Sequence, residues 1–273
     1  MTVGNRSATL DGRVAVVTGA GRGIGRGISV SLARAGAAVV AVDLPDSPDV
    51  NETVARCRDA GVHAEAASAD VSQLDAVHAV FDRVRDRIGP VDIAVSNAAY
   101  SDRHLMLDQS LEEFRRTIEV CMFGAYHTVR TAASHMRGAS ESDPDRDRSI
   151  VVIGSPHAHI PIPGALAYNM AKAGCDQLAK TAACELAMHG IRVNTLHPGW
   201  IDTPGERKFF SEDALAEHGA KIPMGRLGTP EDIGRGVVYL CDPASRYVTG
   251  STLTIDGGIQ LPYDQMERRL KDV

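Results

Sequence analysis

Tyr168 and Lys172, in the run Tyr168-Asn169-Met170-Ala171-Lys172, stand four residues apart and so share one face of any helix that contains them. A phenol, with a reference pKa near 10, is a poor base at neutral pH. A cation about 4 Å away at an effective dielectric of ~20 favours the phenolate by roughly 4 kcal/mol. Lys172 could thereby make Tyr168 a general acid/base. Tyrosine–lysine pairs at this spacing are common on helix surfaces, so the pair alone means little. Ser155 precedes it at the end of an apolar run, where its hydroxyl could hold a substrate oxygen beside the phenol. The chemistry implied is proton transfer at an oxygen atom.

A second group of residues could hold an anionic cofactor. The run Arg13–Thr18 passes into Gly19-Ala20-Gly21-Arg22-Gly23-Ile24-Gly25, a strand turning through glycines into a helix. Glycines let the backbone approach a pyrophosphate, and a helix start offers free N–H groups and the positive dipole end. The spacing Gly-x-x-x-Gly-x-Gly fits the general dinucleotide fingerprint only loosely, and a plain flexible turn would look similar. Asp43, at the end of the next strand, sharpens the reading. An acid there accepts hydrogen bonds from the adenosine ribose and repels a 2′-phosphate, which implies NAD rather than NADP. Arg22 argues mildly the other way, as a cation that could meet a 2′-phosphate.

The elements that must position these groups follow from the apolar pattern. Strands are expected at Arg13–Thr18, Ala37–Val42, Val62–Ala67, Val91–Ser96, Ser149–Gly154, Ile191–Leu196 and Ser251–Ile255. Helices are expected at Ile24–Arg34, Leu74–Arg87, Leu111–Met136, Leu166–His189 and Pro230–Leu240. Continuous apolar strands alternating with helices predict an α/β fold, a doubly wound parallel sheet of about seven strands with helices on both faces. The polar stretch Gly138–Arg148 reads as a solvated loop. No boundary divides residues 1–273, so one domain is expected, with residues 1–12 as an N-terminal extension.

Composition narrows the class. A hydrophobic fraction of 44% with 23% charged residues suits a globular core. The formal charge of −6 and 4% aromatics oppose a nucleic-acid partner. No run of 18 apolar residues supports a membrane span, and no secretory signal is visible. The five scattered cysteines read as reduced thiols of a cytoplasmic protein.

These motifs together resemble the classical short-chain dehydrogenase/reductase family over nearly the whole chain. The matching pieces are Thr18-Gly19-x-x-x-Gly23-x-Gly25, Asp70-Val71, Asn97-Ala98-Ala99, Ser155, Tyr168-x-x-x-Lys172, and Pro198-Gly199 with Thr203. Val248-Thr249-Gly250 and Asp256-Gly257-Gly258 are similar to the family's C-terminal pattern. The resemblance implies a Rossmann-type fold and a homotetramer. It implies that Asp70 and Val71 flank the adenine and that Asn97 and Ala98 support the cofactor turn. Pro198, Gly199, Ile201 and Thr203 then lie at the nicotinamide end, and Lys172 also reaches the nicotinamide ribose. Two departures stand out. Ser96-Asn97-Ala98-Ala99 replaces the usual Asn-Asn-Ala-Gly, and Cys121 stands where the family has an asparagine that holds a proton-relay water. A thiol is a weak donor and a poor acceptor.

At the substrate end, Ser155-Pro156-His157-Ala158-His159-Ile160-Pro161 resembles a segment of bacterial glucose 1-dehydrogenases. His157, His159 and Trp200 are therefore candidate substrate contacts, with loop packing as the plain alternative. No third ligand is placed by spacing beside His157 and His159, so no metal is expected. Residues 205–220 correspond to the family's variable lid. The expectation is an NAD-dependent oxidoreductase interconverting a secondary alcohol and a carbonyl, with a small-molecule sugar or polyol as substrate. A ketoreductase of a bulkier metabolite and a non-catalytic dinucleotide-binding regulatory protein are the rivals.

Overall fold

The computed structural model describes residues 9–261. Seven strands form one sheet: β1 (Val14–Thr18), β2 (Ala38–Asp43), β3 (Ala64–Ser68), β4 (Ile93–Ser96), β5 (Arg148–Ile153), β6 (Ile191–Pro198) and β7 (Thr252–Ile255). Their order is β3-β2-β1-β4-β5-β6-β7, every pairing parallel. The order reverses between β1 and β4, which opens a crevice beyond the carboxyl ends of those strands. Thr18, Ser96, Ile153 and Pro198 end their strands on that side, so the residues following them gather around one crevice.

Eight helices cover the sheet: α1 (Gly23–Arg34), α2 (Val50–Arg58), α3 (Leu74–Arg87), α4 (Leu111–Ile118), α5 (Gly124–Ser140), α6 (Leu166–Leu186), α7 (Glu212–Ala220) and α8 (Pro230–Cys241). Alternate residues of each strand feed opposite faces. Ala15 and Val17 of β1 pack with Ile28 and Leu32 of α1 and Val237 and Leu240 of α8. Val14 and Val16 pack with Val80, Phe81 and Val84 of α3 and with Val129 and Met136 of α5.

Three expectations need correction. The helix expected over Leu111–Met136 is interrupted by a π-helical turn at Glu119–Phe123, which separates α4 from α5 and carries Cys121. Helices α2 and α7 lie outside the expected set. The stretch Gly138–Arg148 is not simply a solvated loop: Glu141, Asp143 and Asp145 are exposed, but Arg146, Asp147 and Arg148 turn inward. Asp92 is buried and takes the Arg146 guanidinium as well as the Val14 N–H at 2.9 Å. Asp147 holds Arg192 through two bonds of 2.9 and 3.1 Å, and buried Arg148 donates to the carbonyls of Ala139, Asp143 and Arg146. Buried charges persist only when paired and hydrogen-bonded in this way. Of the expected extension, residues 1–8 lie outside the described part. Leu10 is fully buried and its N–H binds the Ala35 carbonyl at 2.9 Å.

Helices α1 and α8 cross closely because Gly27 faces Pro230. A Cβ on Gly27 would lie 2.5 Å from the Pro230 backbone, a contact that rigid backbone cannot relieve. Gly27→Ala is expected to destabilise the fold by about 1–3 kcal/mol through overpacking. Gly138→Ala, where the added methyl meets nothing within 4 Å inside α5, should be neutral or stabilising by up to about 1 kcal/mol. Denaturant midpoints of the two variants check the pair, and equal losses would contradict it.

Candidate active site

The glycine turn sits at the carboxyl end of β1. Gly19 adopts φ +63°, and a Cβ on Gly25 would collide with the Gly19 carbonyl. The turn is clamped from β4: Asn97 Nδ2 donates to the carbonyls of Thr18 at 2.9 Å and Gly19 at 3.0 Å. Thr18 Oγ1 accepts in return from the N–H groups of Asn97 at 3.0 Å and Ala98 at 3.2 Å. Helix α1 then starts, with Ile24 in its first turn, with no side chain capping its N-terminus and no acid in that turn. Its leading N–H groups are left for an anion. The turn, the clamp and the uncapped helix start fit the pyrophosphate of a dinucleotide.

Asp43 closes the turn from β2. Its Oδ2 accepts the Gly21 N–H at 2.6 Å and its Oδ1 accepts the Leu44 N–H at 2.8 Å. Arg22 points elsewhere, its guanidinium 4.0 Å from Asp49. It borders an outer cleft with Arg26, Arg34 and Arg56, and Asp43 does not line that cleft. Asp70 binds Ser72 and, at 3.0 Å, Arg116. Burial opposes its ionisation, but these partners hold its carboxyl below the usual range. Val71 is buried against Gly124. Gly199 presses on Asp256, and Thr203 packs on Gly23 at the start of α1. The Ile201 side chain is part of the core beside Gly228, so only its backbone is placed to meet a ligand.

Helix α6 carries Tyr168 and Lys172 on one face, beside Ser155 at the end of β5. The buried Lys172 Nζ donates to the Ile153 carbonyl at 2.7 Å and lies 5.3 Å from the Tyr168 ring centre. Burial raises the Tyr168 phenol above its ordinary value, while the Lys172 charge and the Ser155 hydroxyl oppose that shift. Burial thus works against the phenolate, and the nearby cation works for it.

His157 lies edge-on to Tyr168, ring centres 5.2 Å apart. Its Nδ1 meets Asn169 Oδ1 at 2.7 Å, and Asn169 Nδ2 is committed to the Ile162 carbonyl at 3.1 Å. The amide oxygen must accept, so His157 carries its proton on Nδ1 and offers Nε2 as an acceptor. Burial, reinforced by the charges of Arg103 and Lys172, keeps the imidazole neutral. His159 is exposed, bonded to Gln260 at 2.7 Å, and stacked on buried His197. His197 in turn meets Asp176 at 2.8 Å. Donor atoms of His159, Asp176 and His197 thus lie within 4.8 Å of one another. Of the two histidines singled out from the sequence only His159 joins this cluster, and spacing could not show its partners because they come from separate elements.

Trp200 belongs to the lid. Its Nε1 donates to Glu206 at 3.1 Å, and its ring contacts Phe210 and His218. Residues 205–220 form a short 3-10 turn at Glu206–Lys208 and then α7. Asn169, Asp176, His197 and Arg103 escaped the sequence reading, since each takes its role from partners distant in the chain. The histidine before Pro198-Gly199 was the one available signal.

Cys121 is buried in the π-helical turn and grips the loop after β4. Its Sγ donates to the Tyr100 carbonyl at 3.0 Å and accepts the Tyr100 N–H at 3.3 Å. The Cys121 carbonyl receives the Cys175 thiol at 3.2 Å. Burial pushes the thiols of Cys121 and Cys175 up, that of Cys57 to about 11 and that of Cys241 to about 12. Cys184 alone among the five is exposed. At pH 8 the native protein should release one fast equivalent in a thiol titration with a disulfide reagent, and five after denaturation. Two or more fast equivalents would contradict the burial of the Cys121–Cys175 pair.

Residues 19–260 match the family model described as enoyl-(acyl carrier protein) reductase. The 3beta-hydroxysteroid dehydrogenase 1 of Eggerthella lenta is 37% identical, over 92% of this chain and 95% of its own. The cis-4-hydroxycyclohexanecarboxylate dehydrogenase of Sinomonas cyclohexanicum is 36% identical, over 90% of this chain and 96% of its own. Glucose 1-dehydrogenase 2 of Bacillus subtilis is 31% identical, over 94% of this chain and 98% of its own. The crystal structure of a short-chain type dehydrogenase/reductase from Mycobacterium marinum superposes with a TM-score of 0.86 at 34% identity, covering 94% of this chain and 98% of that one. With this match along its length, and with a seven-stranded parallel sheet built around a dinucleotide turn, the chain belongs to the classical short-chain dehydrogenase/reductase family of oxidoreductases.

Proposed function

We propose that the protein is an NAD-dependent dehydrogenase/reductase acting on a secondary hydroxyl carried by a ring, in a sugar or an alicyclic compound. The observation that carries the reading is the convergence of Ser155, Tyr168 and Lys172 at the carboxyl ends of the strands, beside the glycine turn. The names of the relatives support the ring: a hydroxysteroid, a hydroxycyclohexanecarboxylate and glucose each carry their hydroxyl on one.

A bound nicotinamide supplies the hydride acceptor in one direction and the hydride donor in the other. Ser155 holds the reacting oxygen. Tyr168 takes the hydroxyl proton during oxidation and returns it during reduction. Lys172, fixed on the Ile153 carbonyl, keeps a positive charge beside the phenol and so favours the phenolate when the proton leaves. The free His157 Nε2 can accept a hydrogen bond from a neighbouring substrate hydroxyl. Asp43 supports NAD, because its carboxylate closes the turn where a 2′-phosphate would have to sit while Arg22 is turned toward Asp49.

Tyr168→Phe removes only the hydroxyl, so the fold and cofactor binding should survive while kcat falls by about 10²–10⁴-fold. A panel of ring alcohols and ketones, read by NADH absorbance in both directions, measures this. Activity retained within threefold would place the proton on another group. In the same assay Asp43→Ala should raise the NADP-to-NAD ratio of kcat/KM by about tenfold, the scale of one lost charge contact of about 1.4 kcal/mol. It should also weaken NAD itself, since the Gly21 N–H loses its acceptor. A wild type that already prefers NADP would refute the cofactor assignment.

A further inference from the structure

Arg103 lies on the loop between β4 and α4, against the lid. Its guanidinium carbon lies over the Phe209 ring, 4.7 Å from the centroid, and 5.8 Å from that of Phe210. Its loop runs beside Gly164, just ahead of the helix that carries Tyr168, where a Cβ on that glycine would lie 4.0 Å from the His104 carbonyl. Among the described residues, none of its five guanidinium N–H donors makes a hydrogen bond. Glu206 approaches only to 3.7 Å, with its other oxygen committed to Trp200. Arg207 of the lid differs, donating to Asp202 and Glu212 at 2.7–2.9 Å.

A half-exposed guanidinium over an aromatic ring, with its donors unspent and beside the lid of a proton-transfer site, is prepared for a planar anion. We propose that Arg103 is a carboxylate subsite and that the substrate is a ring-borne hydroxy acid. Its hydroxyl meets Ser155 and Tyr168 while its carboxylate is gripped by Arg103. This rests on the function proposed above and narrows its substrate class. Beside Glu206, whose repulsion grows with the ligand's charge, a singly charged carboxylate is favoured over a doubly charged phosphate. The fork of N–H donors fits two carboxylate oxygens side by side. Glu206 is then the resting counter-charge, which the substrate displaces without losing the bond from Glu206 to Trp200.

Two measurements test the subsite. First, kcat/KM is compared for 4-hydroxycyclohexanecarboxylate and its methyl ester. The wild type should favour the acid at least tenfold, and Arg103→Met should abolish most of that preference through KM, with Arg103→Lys recovering only part. Glu206→Gln should lower KM for the acid. Second, binding of cyclohexanecarboxylate, which has no hydroxyl to oxidise, is followed by fluorescence of Trp200, the single tryptophan. The wild type should bind it and Arg103→Met should not, at an unchanged thermal midpoint. Equal use of acid and ester by the wild type, an equal loss on both in Arg103→Met, or a stronger fluorescence response to inorganic phosphate than to the carboxylate would each overturn the proposal. Its failure stays distinct from failure of the function. Turnover of neutral ring alcohols with no Arg103 dependence removes only the subsite. Arg103-dependent binding with no turnover of any ring alcohol removes only the reaction.

Discussion

Asn97 and Thr18 join the ends of β4 and β1 at the point where the strand order reverses, and the positions of everything catalytic refer back to that join. The amide of Asn97 fills the two carbonyls that the glycine turn exposes, and the Thr18 hydroxyl fills the N–H groups beyond β4. Without those four bonds the turn would present unpaired carbonyls to a site that has to receive an anion. With them, the carbonyls of Thr18 and Gly19 are paired and the N–H groups of the α1 start are left for the anion. The parallel register then carries the same level across to β5 and β6, where Ser155 and the Pro198-Gly199 corner begin.

Charge in the crevice is arranged by the same economy. Lys172, the buried cation beside Tyr168, is tied to a main-chain carbonyl rather than to an acid, so its field remains available to the phenol above it. Away from the site the interior pairs Asp92 with Arg146 and Asp147 with Arg192, while buried Arg148 is held by main-chain carbonyls. Those pairs hold the far edges of β4, β5 and β6, and their desolvation is offset by close hydrogen bonds. Lys172 gives up such a partner in exchange for influence over Tyr168.

Local pattern was enough for the elements that depend on neighbours in sequence. The unbroken valine and alanine strands, the glycines at residues 19–25 and the Tyr168–Lys172 spacing are short-range signals, and the parallel sheet follows from them. Other features required the fold. The inward turn of Arg146, Asp147 and Arg148 depends on Asp92 and Arg192, far away in the chain. The π-helical turn at Cys121 leaves apolar periodicity nearly intact, so nothing in the pattern marks it. His197 and Asp176 carry no motif, and Arg103 is an ordinary loop arginine until Phe209 lies beneath it. A spacing argument counts a nearby cation but cannot count the water that burial removes.

The thiol of Cys121 binds both the N–H and the carbonyl of Tyr100, so it works as a rivet on the loop rather than as a group facing substrate. That loop carries Arg103 three residues further on. Residue 121 and the substrate-facing loop are therefore one inherited module. An exchange of the loop with a relative would need residue 121 to travel with it. A substitution at 121 alone would be felt first as a change in which molecules the cleft accepts, and only afterwards as a change in how fast a proton moves.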